Sequence, residues 1–172
     1  MRVEAVLGDI TRQDVDAIVN AANEALAGGG GVDGAVHRAA GARQMHEACA
    51  RLGGCATGDA KATPGFALKA RWVVHTVGPR WRGGNAGEEQ ALRSCYRRCL
   101  EVADELGARS VAFPAISTGV YGYPPRQAAE VAVTTLLGTE TKVELVRLVA
   151  FDQASFDIYR ELLASHGGRA GQ

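Results

Sequence analysis

The sequence has no surplus of charge of either sign: its 172 residues carry 19 lysines and arginines against 19 aspartates and glutamates. That balance argues against a general binder of the DNA backbone, which needs a basic excess, and leaves a single bound nucleotide open. Long apolar runs are also lacking. The opening MRVEAVLGDITRQDVDAIVNAA carries charges throughout, so neither a signal peptide nor a membrane span is expected, and a cytoplasmic protein is. Cysteine is sparse, with Cys49, Cys55, Cys95 and Cys99 spaced C-x5-C and C-x3-C. The tight C-x2-C of zinc ribbons is missing, so buried or half-buried free thiols and no metal site are expected. Neither an internal repeat nor a low-complexity linker interrupts the chain. The expectation is one domain over residues 1–166, a frayed tail over 167–172 and, with no heptad to supply a partner surface, a monomer.

Glycine is abundant instead, at 22 residues, nearly twice the average usage of roughly 7%. The most concentrated run is GGGGVDG at 28–34, with NAAN at 20–23 before it and HRAAG at 37–41 after it. Around it, strand-like and helix-like segments alternate. VEAVLGDI (3–10) alternates and then turns, DAIVNAA (16–22) is a short apolar run that ends in a loop, and RWVVHTVGP (71–79), SVAFPAIS (110–117) and VELVRLVAF (143–151) read as strands. Helical patterns run from about Asp33 to Leu52 with a break at Gly41, and over 88–106, 125–138 and 155–165. In the second of these, Leu92, Cys95, Tyr96, Cys99, Val102, Ala103 and Leu106 trace one stripe, and Gly107 stands where a helix C-cap belongs. Such alternation implies an α/β fold, a three-layer α/β/α sandwich around a mixed, largely parallel central sheet. Ligands of open sheets bind beyond the carboxyl ends of the strands. The loops 20–34 and 117–124 both follow strands, and so can meet on one rim.

A glycine-rich turn into a helix suits an anion, because bare backbone N–H groups and the helix dipole face it. G-x-x-x-x-G-K-[ST] is absent, which argues against a P-loop NTPase. G-x-G-x-x-G can be threaded through Gly29, Gly31 and Gly34, a cheap match in a run of glycines. STGVYGYP at 117–124 offers small hydroxyls, free amides and two flat rings, suited to phosphate and sugar or to a plain turn into the next helix. Asp33 opens a helix, where a carboxylate serves as an N-cap or as the group that positions an attacking water. His37 follows one turn later on the same face. His75 reads as a structural histidine within its strand, and Asp152 and Asp157 as caps of the last helix, with Asp152 near the rim.

GDIT at 8–11, NAAN at 20–23, GGGGVDGAVHRAAG at 28–41, TGDAKATPGFAL at 57–68, HTVGP at 75–79 and ISTGVYGYP at 116–124 together resemble a macrodomain of the MacroD type. The resemblance runs in order from about residue 3 to 165. It implies ADP-ribose in a deep cleft and, without metal or cofactor, removal of mono-ADP-ribose from acidic side chains of proteins and deacetylation of O-acetyl-ADP-ribose. A non-catalytic reader of ADP-ribose is the alternative, and nucleic-acid-linked ADP-ribose is left open but not indicated. By position, Asp9 would accept from the adenine amino group beside Ile10, with Phe151 packing on the base. Asn23 would hold the distal ribose and share in catalysis. Gly31 and Val32 would bring backbone to the ribose and diphosphate, and Ser117, Thr118, Gly119, Val120 and Tyr121 would wrap the diphosphate. Asp33 would be the catalytic carboxylate, with His37 supporting it from behind.

Overall fold

The first strand, β1 (Arg2–Leu7), lies against the sixth, β6 (Leu145–Ala150), in parallel register, with Val3 opposite Val146 and Leu7 opposite Ala150. The computed structural model describes residues 1–166 and the backbone of 170–171. Between these strands the chain forms β2 (Ala17–Ala21), β3 (Ala60–Pro64), β4 (Trp72–Thr76) and β5 (Ser110–Phe113). With a short β7 (Ala170–Gly171) they build one sheet in the order β3-β4-β2-β5-β6-β1-β7. Neighbours are parallel except β3 and β4, which are antiparallel. The mixed, largely parallel sheet expected from the alternation is therefore present.

Five helices cover it: α1 (Gly31–Ala40), α2 (Ala42–Leu52), α3 (Glu88–Leu106), α4 (Pro125–Gly138) and α5 (Gln153–Ser165). Residues of α3, α4 and α5 pack with Ala17, Val19, Val111, Phe113, Val146 and Leu148 on one face of the sheet. Residues of α1 and α2 pack with Ile18, Val73, Ala112 and Val149 on the other. The period of two in each strand sends alternate side chains to the two layers. Each large apolar side chain so buried contributes about 1.5–3 kcal/mol. The stripe on α3 lies in the first cluster, and Gly107 takes the left-handed conformation (φ 75°) that closes the helix. Gly41, at φ 109°, separates α1 from α2, a backbone conformation that a side chain would strain.

Differences from expectation lie at the edges. AKATP forms β3, which its lysine, threonine and terminal proline disguise, and its partner β4 supplies the pairing. The turn expected at the end of VEAVLGDI is a 3₁₀ turn, Ile10–Arg12. Within the tail expected to fray, the backbone of Ala170–Gly171 pairs with Val3 and Glu4 of β1, whose outer backbone groups would otherwise lack partners. The remainder of that expectation, at 167–169 and 172, lies outside the described residues. Cys49, Cys55, Cys95 and Cys99 are all free and buried, as the spacing suggested. Among the described residues, no helix is long and apolar enough to cross a membrane.

Candidate active site

β2 delivers the glycine loop and β5 the STGVYGYP loop, and the two strands are neighbours. Their loops enclose a cleft of about 380 Å³ lined by Asn23, Gly29–Asp33, Gly78, Ser117 and Gly119–Tyr121, among others. Of the residues singled out by sequence, Asn23, Gly31, Val32, Asp33, Ser117, Gly119, Val120 and Tyr121 meet here. Among the described residues, no backbone N–H from Gly29 to Asp33 or from Ser117 to Tyr121 is spent on a protein acceptor. Two sets of free amides thus face one cavity. The Ser117 hydroxyl is buried in the same wall without a hydrogen-bond partner, an unusual expense for a polar group. Ser117 is also held at φ 68°, in the left-handed region that non-glycine residues seldom enter. Gly78 accommodates it from below, since a Cβ there would collide with the Ser117 Oγ and with Ile116.

Asp33 is buried at the foot of the cleft. It is not the N-cap of α1: Gly30 holds that position, with no side-chain capping bond. Side chains rather than helix amides hold its carboxylate. Asn20 Nδ2 donates to Asp33 Oδ1 at 2.8 Å, and His37 Nε2 stands 3.4 Å from the same oxygen. The i to i+4 spacing on α1 places His37 there. The second carboxylate oxygen faces the glycine loop, where a Cβ on Gly29 would lie 3.8 Å from it. One oxygen is anchored and the other is available.

Asn20 is the site residue that the sequence reading missed. β2 and β4 pair with Asn20 directly opposite His75, and Asn20 Nδ2 lies 3.0 Å from His75 Nδ1. The same amide therefore serves two acceptors, and the reverse orientation would set its oxygen against the Asp33 carboxylate. With Nδ1 accepting, the His75 proton sits on Nε2, which lies 2.9 Å from Thr63 Oγ1 and 3.8 Å from Cys49 Sγ. Burial first, and the neighbouring His37 second, push the His75 pKa down to about 3. His75 is thus neutral and committed to one tautomer. The Cys49 thiol is pushed up to about 11 by burial and by the Asp33 charge, which leaves it unreactive. His75 is structural, as expected, but its partner is the amide that holds Asp33.

Asn23 braces the loop itself. Its Nδ2 donates to the Gly28 carbonyl at 3.0 Å and its Oδ1 accepts from the Ala27 N–H at 3.1 Å. One amide hydrogen and one lone pair remain for the cleft. Asp9, Ile10 and Phe151 do not line this cavity. They leave the carboxyl ends of β1 and β6, adjacent strands whose last residues pair. Asp9 Oδ1 accepts from the N–H and hydroxyl of Thr11, at 2.9 and 2.7 Å, and the hydroxyl in particular lowers its pKa. Phe151 is almost fully exposed, at 92%, and so is Val120, large apolar side chains offered at the same rim. Thr118 turns instead to a smaller cavity of about 130 Å³ shared with Asp152 and Tyr159. Asp152 caps α5 by accepting from the Ser155 N–H at 2.8 Å, whereas Asp157 lies inside that helix and accepts from Gln153.

These features define an α/β protein with a rim cleft that sets two rows of free amides around a buried carboxylate. Comparison with known proteins narrows the class. The Macro domain family model matches residues 19–132, and the chain belongs to that family. A macro domain-containing protein of Chlorobaculum tepidum is 54% identical over 95% of this chain and 96% of its own. A Salmonella typhimurium protein named O-acetyl-ADP-ribose deacetylase is 51% identical, over 96% of each. Among solved structures, a variant of the Oceanobacillus iheyensis macrodomain with ADPR superposes with a TM-score of 0.91 at 42% identity. That match covers 95% of this chain and 92% of the other.

Proposed function

We propose that this chain binds ADP-ribose in the rim cleft and hydrolyses its esters, releasing mono-ADP-ribose from aspartate and glutamate side chains and acetate from O-acetyl-ADP-ribose. The observation that carries the reading is the buried Asp33, with one oxygen anchored and the other open to a cleft lined by free amides. The named activity of the Salmonella relative and the ADPR bound to the Oceanobacillus variant support it. In this reading the Ser117–Tyr121 amides and those of Gly31 and Val32 hold the diphosphate from two sides. Asn23 orients the distal ribose, and Asp9, Ile10 and Phe151 take the adenine. Asp33 positions and polarises a water through its free oxygen. Water adds across the ester, the C–O bond breaks, and the products are ADP-ribose and the free acid. Where water attacks the ribose C1″ of an aspartate or glutamate ester, the carboxylate leaves readily; in O-acetyl-ADP-ribose the acyl carbon is attacked, and the ribose oxygen leaves and takes up a proton from the water. The nitrogen of an arginine linkage leaves poorly, and that linkage resists.

The test is single-turnover hydrolysis by the purified protein of O-acetyl-ADP-ribose, of a glutamate-linked ADP-ribosyl peptide and of an arginine-linked one. Release from the first two and none from the third is expected. Saturable ADP-ribose binding with no release from any of them would leave a reader and overturn the hydrolase.

A further inference from the structure

A second cavity, of about 370 Å³, adjoins the cleft and shares Asn23, Gly78 and Tyr121 with it. Its volume lies within the range of ligand pockets, about 300–1,000 Å³. Its other walls include Glu24, Thr57, Arg80 and Arg82. Neither arginine has a carboxylate within ion-pair distance among the described residues, although ten other arginine–carboxylate contacts form there. The Arg80 guanidinium lies 4.9 Å from the centre of the Tyr121 ring, a stack that orients it without neutralising it.

The loop that carries both arginines is built to hold them in place. The Glu88 carboxylate is buried and accepts from the backbone N–H groups of Arg82, Gly84 and Ala86 at 2.8, 2.9 and 2.6 Å. The Trp81 N–H donates to the Tyr121 carbonyl at 2.8 Å, and the Trp81 ring lies 4.6 Å from that of Tyr123. The arginine loop is thereby tied to the loop that lines the main cleft. Opposite, Glu24 accepts from the Thr57 hydroxyl at 3.1 Å.

We infer that this groove is the acceptor-side subsite, and that it takes the acidic peptide segment bearing the ester, with Arg80 and Arg82 pairing with carboxylates that flank the modified residue. The inference rests on the proposed hydrolase reading, because the groove shares with the cleft Asn23, the residue proposed there to orient the distal ribose that carries the ester. Glu24 favours a peptide over a nucleic acid strand. Its carboxylate can accept from peptide N–H groups, and it repels a backbone with one charge per nucleotide. Acetyl carries no flanking carboxylate with which either arginine could pair.

The experiment compares five substrates: O-acetyl-ADP-ribose, glutamate-linked ADP-ribosyl peptides with acidic, neutral or lysine flanks, and an oligonucleotide carrying ADP-ribose on a terminal phosphate. Wild type, Arg82→Gln, Arg80→Gln with Arg82→Gln, and Arg82→Glu are assayed for KM and kcat at low and high salt. Each lost arginine is expected to raise KM for the acidic peptide about threefold, and both together about tenfold. kcat and the O-acetyl-ADP-ribose and neutral-peptide reactions should be unchanged, and salt should erase the difference. Arg82→Glu should turn the preference toward lysine-flanked peptides. Equal losses on all substrates, no loss on the acidic peptide, or a loss confined to the oligonucleotide would each overturn the subsite. If wild type hydrolyses nothing, the hydrolase reading falls by itself. Equilibrium binding of the same modified peptides then decides the subsite: an acidic preference that disappears in the double variant sustains it, and no preference ends it.

Discussion

Asn20 donates to Asp33 Oδ1 at 2.8 Å with the same nitrogen that lies 3.0 Å from His75 Nδ1. One buried amide therefore joins the candidate catalytic carboxylate to a neutral histidine on the adjacent strand. The arrangement fixes which Asp33 oxygen is occupied and which faces the cleft.

Asn20→Asp keeps the shape and removes both donors. It sets a carboxyl group against the anchored oxygen of Asp33, so one of the two acids must hold a proton. Losing a buried hydrogen bond and its orientation costs about 1–3 kcal/mol, so turnover of O-acetyl-ADP-ribose should fall by roughly 10- to 100-fold. Asn20 does not line the cleft, and ADP-ribose affinity measured by calorimetry should change little. Wild-type turnover by a folded Asn20→Asp protein would show that Asp33 does not need this anchor.

His75 makes a second prediction through pH. Its folded pKa of about 3 lies below the ordinary value of 6.5, so the unfolded chain takes up the proton first. The contribution is fully present above about pH 6.5 and is lost progressively as pH falls toward 3. His75→Gln removes that linkage. Urea unfolding at pH 7, 6 and 5 should show a shallower decline for the variant than for wild type, beneath a lower stability at pH 7 from the broken Asn20 contact. Parallel declines would mean that His75 does not stay neutral in the folded state.

Much of this was legible along the chain. α3 was bounded by its own stripe and by Gly107, and Gly41 marked the break between α1 and α2, because those signals are local. The cleft loops were legible because glycine and small hydroxyls in such runs serve backbone approach. Asn20 was not, since it sits in an apolar run and its meaning comes from a register that sets it opposite a histidine 55 positions away. Thr63 adds to this from β3, a strand visible only by its pairing. A polar residue inside each of two buried strands was the available signal, since such groups must find partners.

Glu88 is expected to couple acid stability to the arginine loop. Backbone donors, those of Arg82 and Gly84 first, hold its carboxyl down at about 2, below the ordinary 4.5. Its contribution is present above about pH 4.5 and is lost as pH falls through 2. Glu88→Gln should lower the thermal midpoint at pH 7, and the gap from wild type should close as pH approaches 2. A gap that is constant from pH 7 to 2 would remove the charge from the explanation.

The two halves of the site should fail differently when mutated. Asp33→Ala takes away the group proposed to position water, so single-turnover hydrolysis should drop by about 10²–10⁴, the usual range for a positioned base. ADP-ribose affinity should hold or improve, because a negative charge near the phosphates is gone. Gly119 offers the converse variant. A Cβ there meets nothing within 4 Å and its φ is not in the left-handed region, so Gly119→Glu has room to fold. Its carboxylate would then stand among the free amides of Ser117–Tyr121, where the diphosphate is proposed to lie. Binding and turnover should collapse together, with the circular dichroism spectrum and thermal midpoint close to wild type. Calorimetric titration beside single-turnover kinetics reads both variants. A folded Gly119→Glu protein that still binds ADP-ribose tightly would move the diphosphate off this loop, and an Asp33→Ala protein that hydrolyses at the wild-type rate would assign the water to another group.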